Sequence, residues 1–115
     1  MKTFFFACLI SVTHLNAADI VVYGGVPCGI AASIVAAREG AKVVLIEPTK
    51  HVGGLSTSGI NTAESEHMLK WTIGGFADEF YRRLGAHYQT GGPEYFFESS
   101  IAEKIYLEML REAGV

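Results

Sequence analysis

Glu47 and the glycines at 24, 25, 29, 53 and 54 are the residues whose types and spacing carry chemistry in this chain. The run Gly24-Gly25-Val26-Pro27-Cys28-Gly29 can turn sharply and aim unpaired N–H groups at one point. Where such a turn opens a helix, the partial positive charge of the helix start favours an anion such as a pyrophosphate. Glu47 follows about twenty residues later, the distance at which a nucleotide-binding acid is expected. Its carboxylate can accept hydrogen bonds from both hydroxyls of an adenosine ribose and would repel a 2′-phosphate, which disfavours NADP.

The elements that must position these residues are readable around them. Ile20-Val21-Val22-Tyr23 is a β-rich run leading into the turn, and the helical pattern runs from Ile30 to Glu39, closed by Gly40. Lys42 to Ile46 is a second strand of the buried type, with Glu47 at its carboxyl end. Strand, helix and strand make a βαβ unit with a parallel pair, so the fold class is α/β and Rossmann-like. The turn departs from G-x-G-x-x-G, because Val26 holds the place of the middle glycine. That side chain must point away from the phosphates or hold them off, and the turn alone suits a tight strand-to-helix connection in any α/β protein equally well. The residues beyond Glu47 decide. Pro48 stops the strand from simply continuing, and Gly53-Gly54 permits a second close backbone approach. A nicotinamide unit needs only the first glycine turn, whereas a flavin unit often brings a second diglycine just past the ribose acid.

The N-terminus reads as a Sec-type signal peptide over residues 1–18: Lys2, the apolar run Phe4 to Val12, a short polar passage, then Ala17-Ala18 as a cleavage site. The apolar run is well short of the roughly 20 residues that span a membrane. Its removal would take Cys8 away, leave Cys28 as the sole thiol and exclude an internal disulfide. The net charge of −3 and the isolated Arg82-Arg83 pair beside Asp78 and Glu79 exclude a nucleic-acid surface. Glu64, Glu66 and His67 fall in a polar loop from Thr62 to Lys70 with no second histidine or cysteine at ligand spacing, so that loop reads as solvated. Ile73, Phe76, Ala77, Phe80, Leu84 and Tyr88 predict an amphipathic helix ended by Gly91-Gly92-Pro93, its aromatic stripe facing the core. Tyr95-Phe96-Phe97 reads as a short extended piece. Ser100 and Glu103 have the spacing of a capping box for a last helix, which buries Ala102, Ile105, Tyr106, Met109, Leu110 and Ala113 and stops at Gly114.

The motifs Val22 to Ala32, Leu45-Ile46-Glu47-Pro48 and His51-Val52-Gly53-Gly54-Leu55 with Thr57 and Gly59 resemble the start of exported bacterial FAD-dependent oxidoreductases, some of which are labelled xanthan lyase. The resemblance continues through Gly74 to Arg83, Phe97-Glu98 and Glu108 to Val115, and that family tolerates a non-glycine at the position of Val26. It implies an FAD site made of Gly24, Gly25, Val26, Pro27, Gly29, Ile30, Glu47, Pro48, Gly53, Gly54 and Thr57. The first turn would meet the pyrophosphate, Glu47 the adenosine ribose and Gly53-Gly54 the length of the cofactor. Thr57 and Ser58 would approach the flavin side, although a solvated polar loop suits them as well. Some related flavoenzymes attach FAD through a histidine, but His51 reads as a polar residue ahead of the diglycine. Residues 19–115 are expected to be the N-terminal part of an incomplete FAD-binding domain. Its small-molecule substrate would be placed by further chain, no span would remain after signal removal, and no catalytic residue or oligomeric state is assigned. The alternatives are a module binding NAD or another adenine nucleotide without redox chemistry, and an exported remnant without a ligand.

Overall fold

The computed structural model describes residues 17–60 and 69–115. The first part of the expected signal peptide and the loop residues Glu64, Glu66 and His67 lie outside the described residues. The elements run β1 (Ile20–Tyr23), α1 (Pro27–Arg38), β2 (Val43–Ile46), a 3₁₀ turn (Gly54–Thr57), a second 3₁₀ turn (Lys70–Thr72), α2 (Gly75–Tyr88) and α3 (Ser99–Ala113). β1 and β2 pair in parallel in the register Ile20↔Val43 to Tyr23↔Ile46, with α1 as the crossover. The architecture is the expected α/β unit, compatible with part of a Rossmann-like FAD-binding fold.

α1 begins at Pro27 rather than Ile30. Proline is favoured at the first helical position because its fixed φ suits the helix and its missing N–H would have no partner there. Gly40 ends the helix as expected: its N–H donates to the Ala37 carbonyl at 3.0 Å, and that of Ala41 donates to Ala36 at 3.1 Å, a paired closure that leaves Gly40 left-handed at φ 95°. α2 starts two residues after Ile73 and stops before the Gly91-Gly92-Pro93 segment. The chain reverses so closely over Gly85 that a Cβ there would meet the Gly92 carbonyl, and the Thr90 N–H caps the Gly85 carbonyl at 3.0 Å. Residues 95–97 form no strand; Phe97 instead turns inward from irregular backbone to pack edge-on against Phe80 at 5.8 Å.

The core sits among the three helices. Ile30 and Ile34 from α1 meet Phe80 and Leu84 from α2 and Ala102, Ile105, Tyr106, Met109 and Leu110 from α3. Each large apolar side chain buried there is worth about 1.5–3 kcal/mol over its exposed state. The predicted aromatic stripe therefore faces the core, with Phe80 stacked on Tyr106 at 4.2 Å between centroids. The sheet is less buried than its composition suggested. Val43 is buried, but Val21, Tyr23, Val44 and Ile46, which share the face away from α1, are all exposed, Tyr23 at 75%. One helix covers one face, and no described element covers the other.

The capping box also fails. α3 is preceded by Glu98 with no side-chain cap, and Ser100 lies inside the helix. Glu103 turns to a distant partner, because the N–H of Val52 is part-buried and needs an acceptor that the α3 start can find in solvent.

Candidate cofactor-binding site

The first turn grows directly from the sheet. The Gly24 N–H donates to the Ile46 carbonyl at 2.8 Å, carrying the pairing one residue past β1. Gly29 lies in the first turn of α1, where a Cβ would collide with the Gly24 carbonyl oxygen, so the close packing of helix on strand dictates glycine there. The N–H groups of Val26, Cys28 and Gly29 have no acceptor among the described residues, and the first helical bond runs from Ile30 N–H to the Val26 carbonyl at 2.9 Å. Unpaired donors at the start of a helix are what an anion binds.

Glu47 closes over this turn. Its Oε2 accepts from the Gly25 N–H at 2.6 Å and its Oε1 from the Thr49 N–H at 2.9 Å. The Thr49 amide, then the Thr49 hydroxyl, then the Gly25 amide hold the carboxyl below its ordinary range, so Glu47 is ionised at neutral pH. Each carboxylate oxygen keeps a further lone pair for a hydroxyl donor.

The second glycine pair is pressed against the first. The Gly53 N–H donates to the Gly25 carbonyl at 2.6 Å, and a Cβ on Gly25 would stand 3.1 Å from Val52 Cγ1. Gly53 is left-handed at φ 106°, and Thr57 fills the space a side chain would need. The Thr57 hydroxyl donates towards the Val52 carbonyl at 2.7 Å, with the Gly54 carbonyl at 3.2 Å, and the Ser58 hydroxyl donates to Gly54 at 2.6 Å. Thr57 thus braces the turn, and Ser58 does the same from its exposed side.

Val26, Pro27, Glu47, Gly53 and Gly54 gather around the turn, with Ile30 on its core side and Pro48 at the surface. Ile30 is fully buried with its amide engaged, so it anchors α1 to the core. Pro48 is exposed and turns the chain out of β2. Sequence reasoning missed Glu103, Ser56 and Tyr106, all of which support the second turn. Glu103 accepts from the Val52 N–H at 3.1 Å and meets His51 Nδ1 at 3.0 Å, which places His51 in a surface contact with this carboxylate. Ser56 donates to the Gly53 carbonyl at 2.6 Å and lies 3.5 Å from the Tyr106 hydroxyl. The only sequence signal was the shared helix face of 103, 106 and 110, which says what is inward but not what it touches.

An ionised carboxylate, free amides at a helix start and backbone without Cβ atoms come together at one end of this α/β unit, the set of groups a nucleotide-binding turn uses. A family model described as FAD dependent oxidoreductase matches residues 19–115, and the chain belongs to that family. No curated protein and no solved structure matches the chain. Family membership implies FAD binding. The residues present fit that group: the amides of 26, 28 and 29 suit its diphosphate, Glu47 suits its ribose, and Gly24 has open space where a Cβ would stand.

Proposed function

We propose that this chain supplies the FAD-binding segment of an exported oxidoreductase acting on a small-molecule substrate. The observation that carries the reading is the ionised Glu47 carboxylate set 2.6 Å from the Gly25 amide, beside the unpaired amides of the α1 start. A hydroxyl acceptor beside an anion-favouring helix start supports this reading, because an adenosine diphosphate requires both. The first turn holds the diphosphate, Glu47 orients the ribose, and Gly53-Gly54 lets the second turn pack against the first along the cofactor. Bound FAD supplies the electron-accepting chemistry, and the protein supplies binding, orientation and shielding from water. The substrate is positioned by residues other than those named here. The charged start, apolar run and Ala17-Ala18 support delivery through Sec, after which the chain folds and takes up FAD.

Titration of the full-length protein with FAD, ADP-ribose, NAD and NADP tests the nucleotide assignment. FAD and ADP-ribose bind, and NADP ranks last; a preference for NADP would remove Glu47 from the ribose site. Fusing residues 1–18 to a reporter active only outside the cytoplasm tests export, and retention of the reporter inside would end that part of the reading.

A further inference from the structure

We propose that Glu103, on the last described helix, is a positioning residue for cofactor capture: it sets the second glycine turn against the first. This rests on the FAD reading above for its function, although its structural half stands alone. Thr49, Thr57 and Ser56 hold the His51 peptide groups and the carbonyls of Val52 and Gly53 from their own side, but none of them takes the Val52 N–H. The segment 51–53 follows an exposed bend at Thr49-Lys50, and the N–H of Val52 donates to α3. Glu103 reaches it across the fold with Oε1 3.1 Å from the Val52 N–H, while both carboxylate oxygens lie 3.0–3.1 Å from His51 Nδ1. The Glu103 side chain is only 22% exposed, whereas that of His51 is 74% exposed, so the inward amide bond is the shielded half of the contact.

The next peptide unit shows what this accomplishes. Immediately after Val52, the Gly53 N–H donates to the Gly25 carbonyl at 2.6 Å, and Gly25 is the residue whose own N–H holds Glu47. Glu103, Val52, Gly53, Gly25 and Glu47 therefore form one continuous chain of contacts from α3 to the ribose acid. One turn further along α3, Tyr106 presses on the same segment, its Cδ2 standing 3.0 Å from where a Cβ on Gly53 would be. The helix thus grips residues 52–53 by a charge-assisted bond and by a ring. Removing the first leaves a part-buried N–H without its acceptor and frees the turn to move away from Gly25.

The test uses the full-length protein and three variants. Glu103→Gln keeps an oxygen for the Val52 N–H but loses the charge facing His51, Glu103→Ala loses both, and Glu79→Gln weakens a remote ion-pair cluster as a control for general destabilisation. In the FAD-free protein, amide hydrogen exchange at Val52 and Gly53 should quicken about tenfold in Glu103→Ala and stay within about twofold of the parent in Glu103→Gln and Glu79→Gln. The FAD dissociation constant should rise about tenfold in Glu103→Ala and recover in Glu103→Gln, while Glu79→Gln leaves it unchanged. Unchanged exchange at 52 and 53 in Glu103→Ala overturns the positioning role whatever binds. Quickened exchange with unchanged FAD affinity overturns its link to the cofactor. A parent protein that shows the exchange pattern but binds no FAD overturns the function proposed above, along with that link, and leaves the brace itself established.

Discussion

The Val26 side chain lies against Gly54, so closely that a Cβ built on Gly54 would stand 3.0 Å from Val26 Cγ1 and 3.5 Å from Pro27 Cδ. The valine that replaces the middle glycine of the first turn is thus accommodated by a glycine in the second. Gly54→Ala should destabilise the protein by about 2 kcal/mol, combining a left-handed φ of 54° with overpacking against Val26. Adding Val26→Ala should recover the overpacking part but leave the backbone part. Chemical denaturation of the two single variants and the double variant reads the coupling directly; strict additivity would mean that the two turns do not touch in solution.

Glu47→Ala should weaken FAD and ADP-ribose by about tenfold and raise the relative standing of NADP, because the ionised acceptor and its repulsion are lost together. FMN, which lacks the adenosine ribose, should be unaffected by the substitution. Parallel titrations with the four ligands, followed by protein fluorescence, give the ranking.

Acid should unfold the protein partly through Glu79. The Arg38 guanidinium, with Arg83 beside it, holds this carboxyl down to about 2 from an ordinary 4.5. A depressed carboxylate contributes stability that is present above 4.5 and lost as pH falls towards 2. With part of the cluster open to solvent, about 1 kcal/mol is expected. Melting temperatures measured from pH 6 to 2 should fall less steeply in Glu79→Gln than in the parent.

At the alkaline end Tyr106 has the opposite effect. Burial pushes its phenol up to about 12 from 10.0, so the unfolded chain ionises first and stability is lost as pH rises from 10 to 12. Tyr106→Phe keeps the 4.2 Å stack on Phe80 and should cost under about 1 kcal/mol at neutral pH, while removing that alkaline loss. Tyr106→Ala should cost about 3–5 kcal/mol. Ultraviolet titration of the tyrosines alongside stability curves checks both.

Residues 19–115 expressed alone should retain no stoichiometric FAD after desalting and show no oxidase or dehydrogenase turnover. Val21, Tyr23, Val44 and Ile46 form an uncovered apolar face on a sheet of two strands, and such a surface with open edges promotes association. Size-exclusion chromatography with absorbance near 450 nm decides it; a yellow monomer would overturn the expectation.

The local features were legible because they are written in local residues. β-rich runs and glycines at 24, 40 and 114 encode their own backbone states, and the two strands, three helices and glycine turns all appear near their expected positions, α1 starting three residues early at Pro27. What was not legible was tertiary. Ser100 and Glu103 have the spacing of a cap, yet Glu103 answers a part-buried amide 51 residues away, which no local pattern encodes. Nor does any local pattern encode that the Thr57 hydroxyl donates to the carbonyls of Val52 and Gly54. The strands looked buried because valine and isoleucine favour strands whether or not anything covers their second face.

The reach of Glu103 to Val52 also orders events in time. As the chain is delivered, the first glycine turn can form as soon as β2 has emerged, since Glu47 and Gly25 are only 22 residues apart. The second turn must wait for α3, because its clamp comes from more than twice that distance down the chain. A nascent chain therefore presents a half-built nucleotide site for the whole interval in which residues 54 to 103 are being delivered. Cofactor loading before that interval closes would meet a diphosphate turn without its far wall, so stable uptake belongs after the last helix has docked.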